Sequence, residues 1–110
     1  MDRIIIDTHF LVSLFVENSP YFERAKEIVK DKMVYIPINV VLDFIFLTVK
    51  KLGIDEKIVF EKLEEIHSNA NILEITEKDL LEAYLLLKKH KLSLKDLNDV
   101  LLLLFAKRTN

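Results

Sequence analysis

Three short apolar runs constrain this chain more than any other feature: Arg3 to Ile6, Met33 to Ile36 and Asn71 to Ile75. Each is rich in aliphatic side chains, and each gives way to a stretch with helical periodicity. Runs of that kind, flanked by turn and cap signals, read as short strands buried on both faces. Such strands belong to a parallel sheet, because a helix is needed to carry the chain back between parallel neighbours. The expected fold is α/β: a three-layer α/β/α arrangement around a short parallel sheet. A chain of 110 residues holds one such domain, 1–110, and can bury roughly two-thirds of its unfolded surface.

The helical stretches carry their own punctuation. Thr8 to Val16 follows the first run. Ser19-Pro20 is a start signal, Ser as cap and Pro at the first position, for a helix over Tyr21 to Lys30 that turns Phe22, Ala25, Ile28 and Val29 inward. From Ile38 to Leu52 the chain is apolar nearly all round, which predicts a central, buried helix ended by Gly53. Asp55 to His67 is a helix with Ile58, Leu63 and Ile66 inward. Thr76-Glu77-Lys78-Asp79 and Ser93-Leu94-Lys95-Asp96 both read as capping boxes, opening helices that run to about His90 and through Lys107. There is no internal repeat, low-complexity tract or linker.

Composition removes several classes of chemistry. Without Cys there are no disulfides, thiolate metal sites or cysteine nucleophiles. A single Gly cannot spell a Gly-rich phosphate loop. His9, His67 and His90 have no helical partner for a zinc site, and Ser13, Ser19, Ser68 and Ser93 all have turn, cap or helix-face explanations. A net charge of −2 argues against a grip on nucleic acid by bulk charge. The N-terminal apolar run is too short for a signal peptide, and Val40 to Val49 and Val100 to Ala106 fall short of the ~20 residues of a membrane span. The expectation is a soluble, cytoplasmic protein with no membrane partner.

Four acids stand out. Asp7 closes the first strand, at the edge where open α/β sheets bind ligands, although an N-cap worth about 1 kcal/mol is an alternative role. Asp43 lies within Val40-Val41-Leu42-Asp43-Phe44-Ile45-Phe46-Leu47 with no cation three or four residues away. A buried carboxylate there needs a partner, a proton or a metal; Asn39, Asp43 and Lys50 otherwise form a thin stripe facing solvent, although a polar stripe this thin on a buried helix more often faces a cleft. Asp96 and Asp99 are three residues apart, and only Asp96 has a capping explanation. Acids converging from a strand end and two helices, without Cys or a His pair, suit a hard cation such as Mg²⁺ or Mn²⁺.

These residues resemble the PIN-domain family. Ile4-Ile5-Ile6-Asp7-Thr8 followed by His9-Phe10-Leu11-Val12 is similar to its opening strand and first acid, with His9 where Asn is more usual. Ile36-Pro37 leading to Val40-Val41-Leu42-Asp43 is similar to the segment with the second acid, commonly Glu and here Asp. Leu92-Ser93-Leu94-Lys95-Asp96 is similar to the stretch before the third acid, whereas Asp99, with Ala106 seven residues on, fits the spacing after it; the third acid is Asp96 or Asp99. The resemblance implies a metal-dependent ribonuclease acting on RNA, often the toxin of a toxin–antitoxin pair, with an antitoxin protein as partner. Asp7, Asp43 and Asp96 or Asp99 would then hold Mg²⁺ or Mn²⁺.

Family members usually continue into a strand bearing a fourth acid, and this sequence ends at Thr109-Asn110, before that strand. The expectation is an open sheet edge near Asp7, with the last helix short of cover around Leu101, Leu104 and Phe105, and hence a homodimer or a held partner. Phosphate contacts are expected from Lys88-Lys89-His90-Lys91 and Lys107-Arg108, which as helix-end cations also suit the dipole. A catalytically weak or inactive PIN-like interaction module is the alternative. A phosphorylated receiver module ranks below both, because Met33–Ile36 ends at Pro37 and Ile72–Ile75 at Thr76 rather than at an acceptor Asp.

Overall fold

The computed structural model describes residues 2–109; Met1, and Asn110 of the closing pair, lie outside the described residues. In chain order the elements are β1 (Arg3–Ile5), α1 (Thr8–Phe15), α2 (Phe22–Val29), β2 (Met33–Pro37), α3 (Ile38–Phe46), α4 (Glu56–Asn69), β3 (Asn71–Leu73), α5 (Glu77–Lys89) and α6 (Leu97–Thr109). A π-helical turn, Leu47–Lys51, continues α3, and a 3₁₀ turn, Leu94–Asp96, leads into α6. The strands are all parallel, in the order β1-β2-β3, with Ile4 opposite Val34 and Ile36 opposite Ile72.

The pleat divides the side chains between two cores. Ile4, Ile6, Val34, Ile36 and Ile72 pack with Leu11 of α1, Val40 and Phe44 of α3, and Val59 and Ile66 of α4. Ile5, Leu73 and Ile75 pack with Ala83 and Leu87 of α5 and Leu101 and Phe105 of α6. Successive side chains of a strand point to opposite faces, so the short apolar runs fill both cores. This is the expected three-layer α/β/α fold. Among the described residues no helix is long and apolar enough to cross a membrane.

The helix expected to be buried all round is not. Val40, Val41 and Phe44 of α3 are buried, whereas Leu42 is 62 % exposed and Asp43 and Phe46 are exposed as well. One face of α3 packs on the sheet and α1, where Phe15 and Phe44 meet edge to face at 6.2 Å; its other side looks outward. Nor is it one regular helix to Leu52. Buried Thr48 donates its hydroxyl to the Phe44 carbonyl at 2.8 Å, a back-bond that competes with regular helical bonding at the π turn. Gly53 does end the segment, with φ of 63°, the left-handed conformation that glycine adopts freely.

Two further details differ. In α4, Val59 rather than Ile58 reaches the core. The Thr76 box forms both reciprocal bonds, Asp79 N–H to Thr76 Oγ1 at 3.1 Å and Thr76 N–H to Asp79 Oδ2 at 2.9 Å. The Ser93 box does not form. There the Lys95 N–H donates to Ser93 Oγ at 3.1 Å and the Asp96 N–H to the Ser93 carbonyl at 2.9 Å. That tightens the chain into the 3₁₀ turn and delays α6 to Leu97. On α6, Leu101 and Phe105 are buried after all, Leu104 is half-buried against the same core, and the large apolar side chain left exposed is Leu103, at 69 %.

Candidate active site

In a parallel sheet all carboxyl ends share one rim, and Asp7 stands there, two residues beyond β1. It also caps α1: its Oδ1 accepts from the Phe10 N–H at 2.9 Å, which orients the carboxylate and leaves Oδ2 without a hydrogen bond among the described residues. The two roles read from the sequence are therefore compatible. Helix α3 presents half-buried Asn39 and, one turn on, exposed Asp43. The first turn of α6 presents Asn98 and Asp99. Asp7, Asp43 and Asp99 all line one cavity of about 420 Å³, with Asn39, Lys51 and Lys95. Asp96, half-buried in the 3₁₀ turn, does not line it.

Side chains tie these elements together. Asn39 Nδ2 donates to Asn98 Oδ1 at 3.0 Å, linking α3 to α6, and the Thr8 hydroxyl reaches Asp43 Oδ2 at 3.5 Å, linking α1 to α3. Among the described residues neither Lys51 nor Lys95 forms an ion pair, although both share the cavity with the acids. The carboxylates are therefore not neutralised by direct contact with a protein cation.

The donor set fits a hard cation. Three carboxylates with free oxygens face one space, and Asn39 Oδ1 is a buried acceptor without a hydrogen-bond partner. Among the described residues no three His, Asp or Glu side chains are gathered tightly enough to ligate one ion directly. A hard cation that keeps several of its waters needs fewer direct carboxylate ligands.

The cations expected to touch phosphate lie elsewhere. Neither Lys88–Lys91 nor Lys107 lines this cavity. Arg108 is held by Asp79 at 2.6 Å and covers the Phe105 ring at 5.0 Å. Lys51, Lys95 and Asn98 were not singled out by the sequence for this role. Only Asn39, one helical turn before Asp43, carried a signal.

An acid-lined cavity at the carboxyl rim of a three-layer parallel-sheet protein defines a class of α/β proteins equipped for hard-cation chemistry. The PIN domain family model matches residues 4–110, nearly the whole chain, and the chain belongs to that family. PIN domains are typically nucleases and generally use divalent metal ions. No curated protein matches the chain.

Proposed function

We propose that this chain is a Mg²⁺- or Mn²⁺-dependent endoribonuclease and the toxin of a toxin–antitoxin pair, acting in the cytoplasm. The observation that carries the reading is the meeting of Asp7, Asp43 and Asp99, from three separate elements, on one cavity with two lysines that form no ion pair among the described residues. Those three acids, with the Asn39 carbonyl oxygen, would hold the ion. When bound, the ion supplies Lewis-acid polarisation of a phosphoryl oxygen and a bound water of lowered pKa. The chain's own residues do the rest. The Phe10 N–H fixes the Asp7 carboxylate, the Asn39–Asn98 bond holds α3 and α6 at their separation, and Lys51 and Lys95 draw the phosphate backbone toward the acids.

Single-stranded RNA incubated with chelator-treated protein tests this. Cleavage should be absent until Mg²⁺ or Mn²⁺ is restored. Removing groups that merely support metal ligands costs 10–100-fold, so Asp7→Asn, Asp43→Asn and Asp99→Asn should each lower the rate by at least about a hundredfold. Asp96→Asn should keep most of it. Equal losses in Asp96→Asn and Asp99→Asn would overturn the assignment of the third acid.

A protein partner, a second copy or an antitoxin, is also part of the proposal. Among the described residues β1 pairs only with β2, and an open groove of about 540 Å³ runs beside it, lined by Ile5, Leu102, Leu103 and Ala106. An unpaired strand edge beside exposed aliphatic side chains favours protein association.

A further inference from the structure

Asp7 also lines a third cavity, of about 500 Å³, between α1 and α2. On the α2 side its wall is Tyr21, Arg24, Ala25 and Ile28, one helical face at spacings of three and four. On the α1 side stand His9 and Ser13. The volume is that of a small-molecule site, and its walls combine apolar surface with a few polar groups.

Two of these side chains have no structural employment. Tyr21 is 64 % exposed, and Arg24 makes no ion pair or side-chain hydrogen bond among the described residues. Their backbone, by contrast, is firmly placed. The Ser19-Pro20 turn receives the Tyr21 N–H on Ser19 Oγ at 3.3 Å and the Phe22 N–H on the Ser19 carbonyl at 3.2 Å, and the Ala25 N–H bonds the Tyr21 carbonyl at 2.9 Å. An exposed aromatic ring and an exposed guanidinium thus border an apolar cleft from a firmly placed backbone.

The geometry points to this cleft as the subsite for the nucleotide next to the scissile phosphate of single-stranded RNA. The assignment rests on the proposed nuclease reading. A strand cut internally must leave the acid cavity in two directions, and Asp7 and His9 line both that cavity and this one. A base has flat faces that stack on Tyr21, its phosphate is an anion that matches Arg24, and the apolar floor of Ala25 and Ile28 accepts the base edge. The site takes a base and a phosphate together. Purines, having the larger stacking area, are the favoured occupants.

The test measures steady-state cleavage of single-stranded RNAs that differ at one position beside the cut, and RNA binding by fluorescence anisotropy in the Asp43→Asn background at several salt concentrations. One base stack is worth roughly five- to a hundredfold in affinity, so Tyr21→Ala should raise KM on that order, with the loss falling on KM more than on kcat, and should abolish the purine preference. Tyr21→Phe should restore both. Arg24→Ala should reduce the slope of log affinity against log salt by about 0.7, the loss of one phosphate contact on a single strand. If the unaltered protein cleaves RNA while Tyr21→Ala and Arg24→Ala leave KM, base preference and salt slope unchanged, the subsite is wrong and the nuclease reading survives; a protein partner would then be the occupant of this cleft. If the unaltered protein shows no metal-dependent cleavage, the reading and the subsite both fall.

Discussion

At Asp43 the side chain is exposed and meets the Thr8 hydroxyl at 3.5 Å, the outer limit of a hydrogen bond. Asp43→Asn therefore removes charge without opening a core. In metal-free buffer its urea midpoint should correspond to a change within about 0.5 kcal/mol of the unaltered protein, while calorimetric titration with Mn²⁺ should show at least roughly tenfold weaker binding. A large destabilisation would show that Asp43 has a structural task. The sequence singled this acid out for a sound reason, a carboxylate without a local cation inside an apolar run, and Asp43 does line a cavity, but the helix that carries it is not buried all round. Aliphatic residues on both sides of α3 suggested burial all round, whereas Leu42 and Phe46 face outward, as a one-residue view of hydropathy cannot tell. Asp7 was legible because strand ends are. Lys51 and Lys95 were not: the π turn resets the angle at which Lys51 leaves α3, and the 3₁₀ turn sets that of Lys95.

Helix α5 is joined to α6 by a clasp at its N-terminus. Asp79 accepts the Thr76 N–H in the capping box and pairs with Arg108 near the end of α6. The backbone bond from Thr76, outweighing burial and aided by the Arg108 charge, holds the Asp79 carboxyl below its ordinary value. Because the folded pKa is the lower one, the unfolded chain takes up the proton first, and the stability Asp79 confers is full above its unfolded pKa and lost as pH falls through the folded one. Asp79→Ala should cost roughly 1–2 kcal/mol at pH 7, mostly through the lost bond from the Thr76 N–H to its carboxylate, and the difference from the unaltered protein should shrink in urea titrations below about pH 4. Arg108→Ala, at a half-exposed site, should cost less than about 1 kcal/mol. The Thr76 box was plain in the sequence, but Arg108 was not: a contact twenty-nine residues away leaves no local pattern. Ser93 shows the converse, a correct local motif that the turn resolves into another bonding scheme.

The molecule as a whole is more open than its length demands, with a radius of gyration of 14.8 Å against about 13 Å for a compact chain of this size. The layers and the strand direction were legible, since short apolar runs between helices admit few alternatives. Which helix face would close over β1 was not, because that depends on the rotation of α6: it buries Leu101 and Phe105 and leaves Leu103 at the groove. If that groove seats a protein partner, Leu103→Lys should lower the mass measured by light scattering at a given concentration without removing RNA cleavage, for Leu103 does not line the acid cavity. The role of the acid cavity is read out by titrating Mn²⁺ into chelator-treated protein with a labelled single-stranded RNA. Internal cuts should rise to saturation with the metal, fall by at least about a hundredfold in Asp99→Asn and persist in Asp96→Asn. Cleavage that ignores the metal, or that survives in Asp99→Asn at the unaltered rate, would contradict that role.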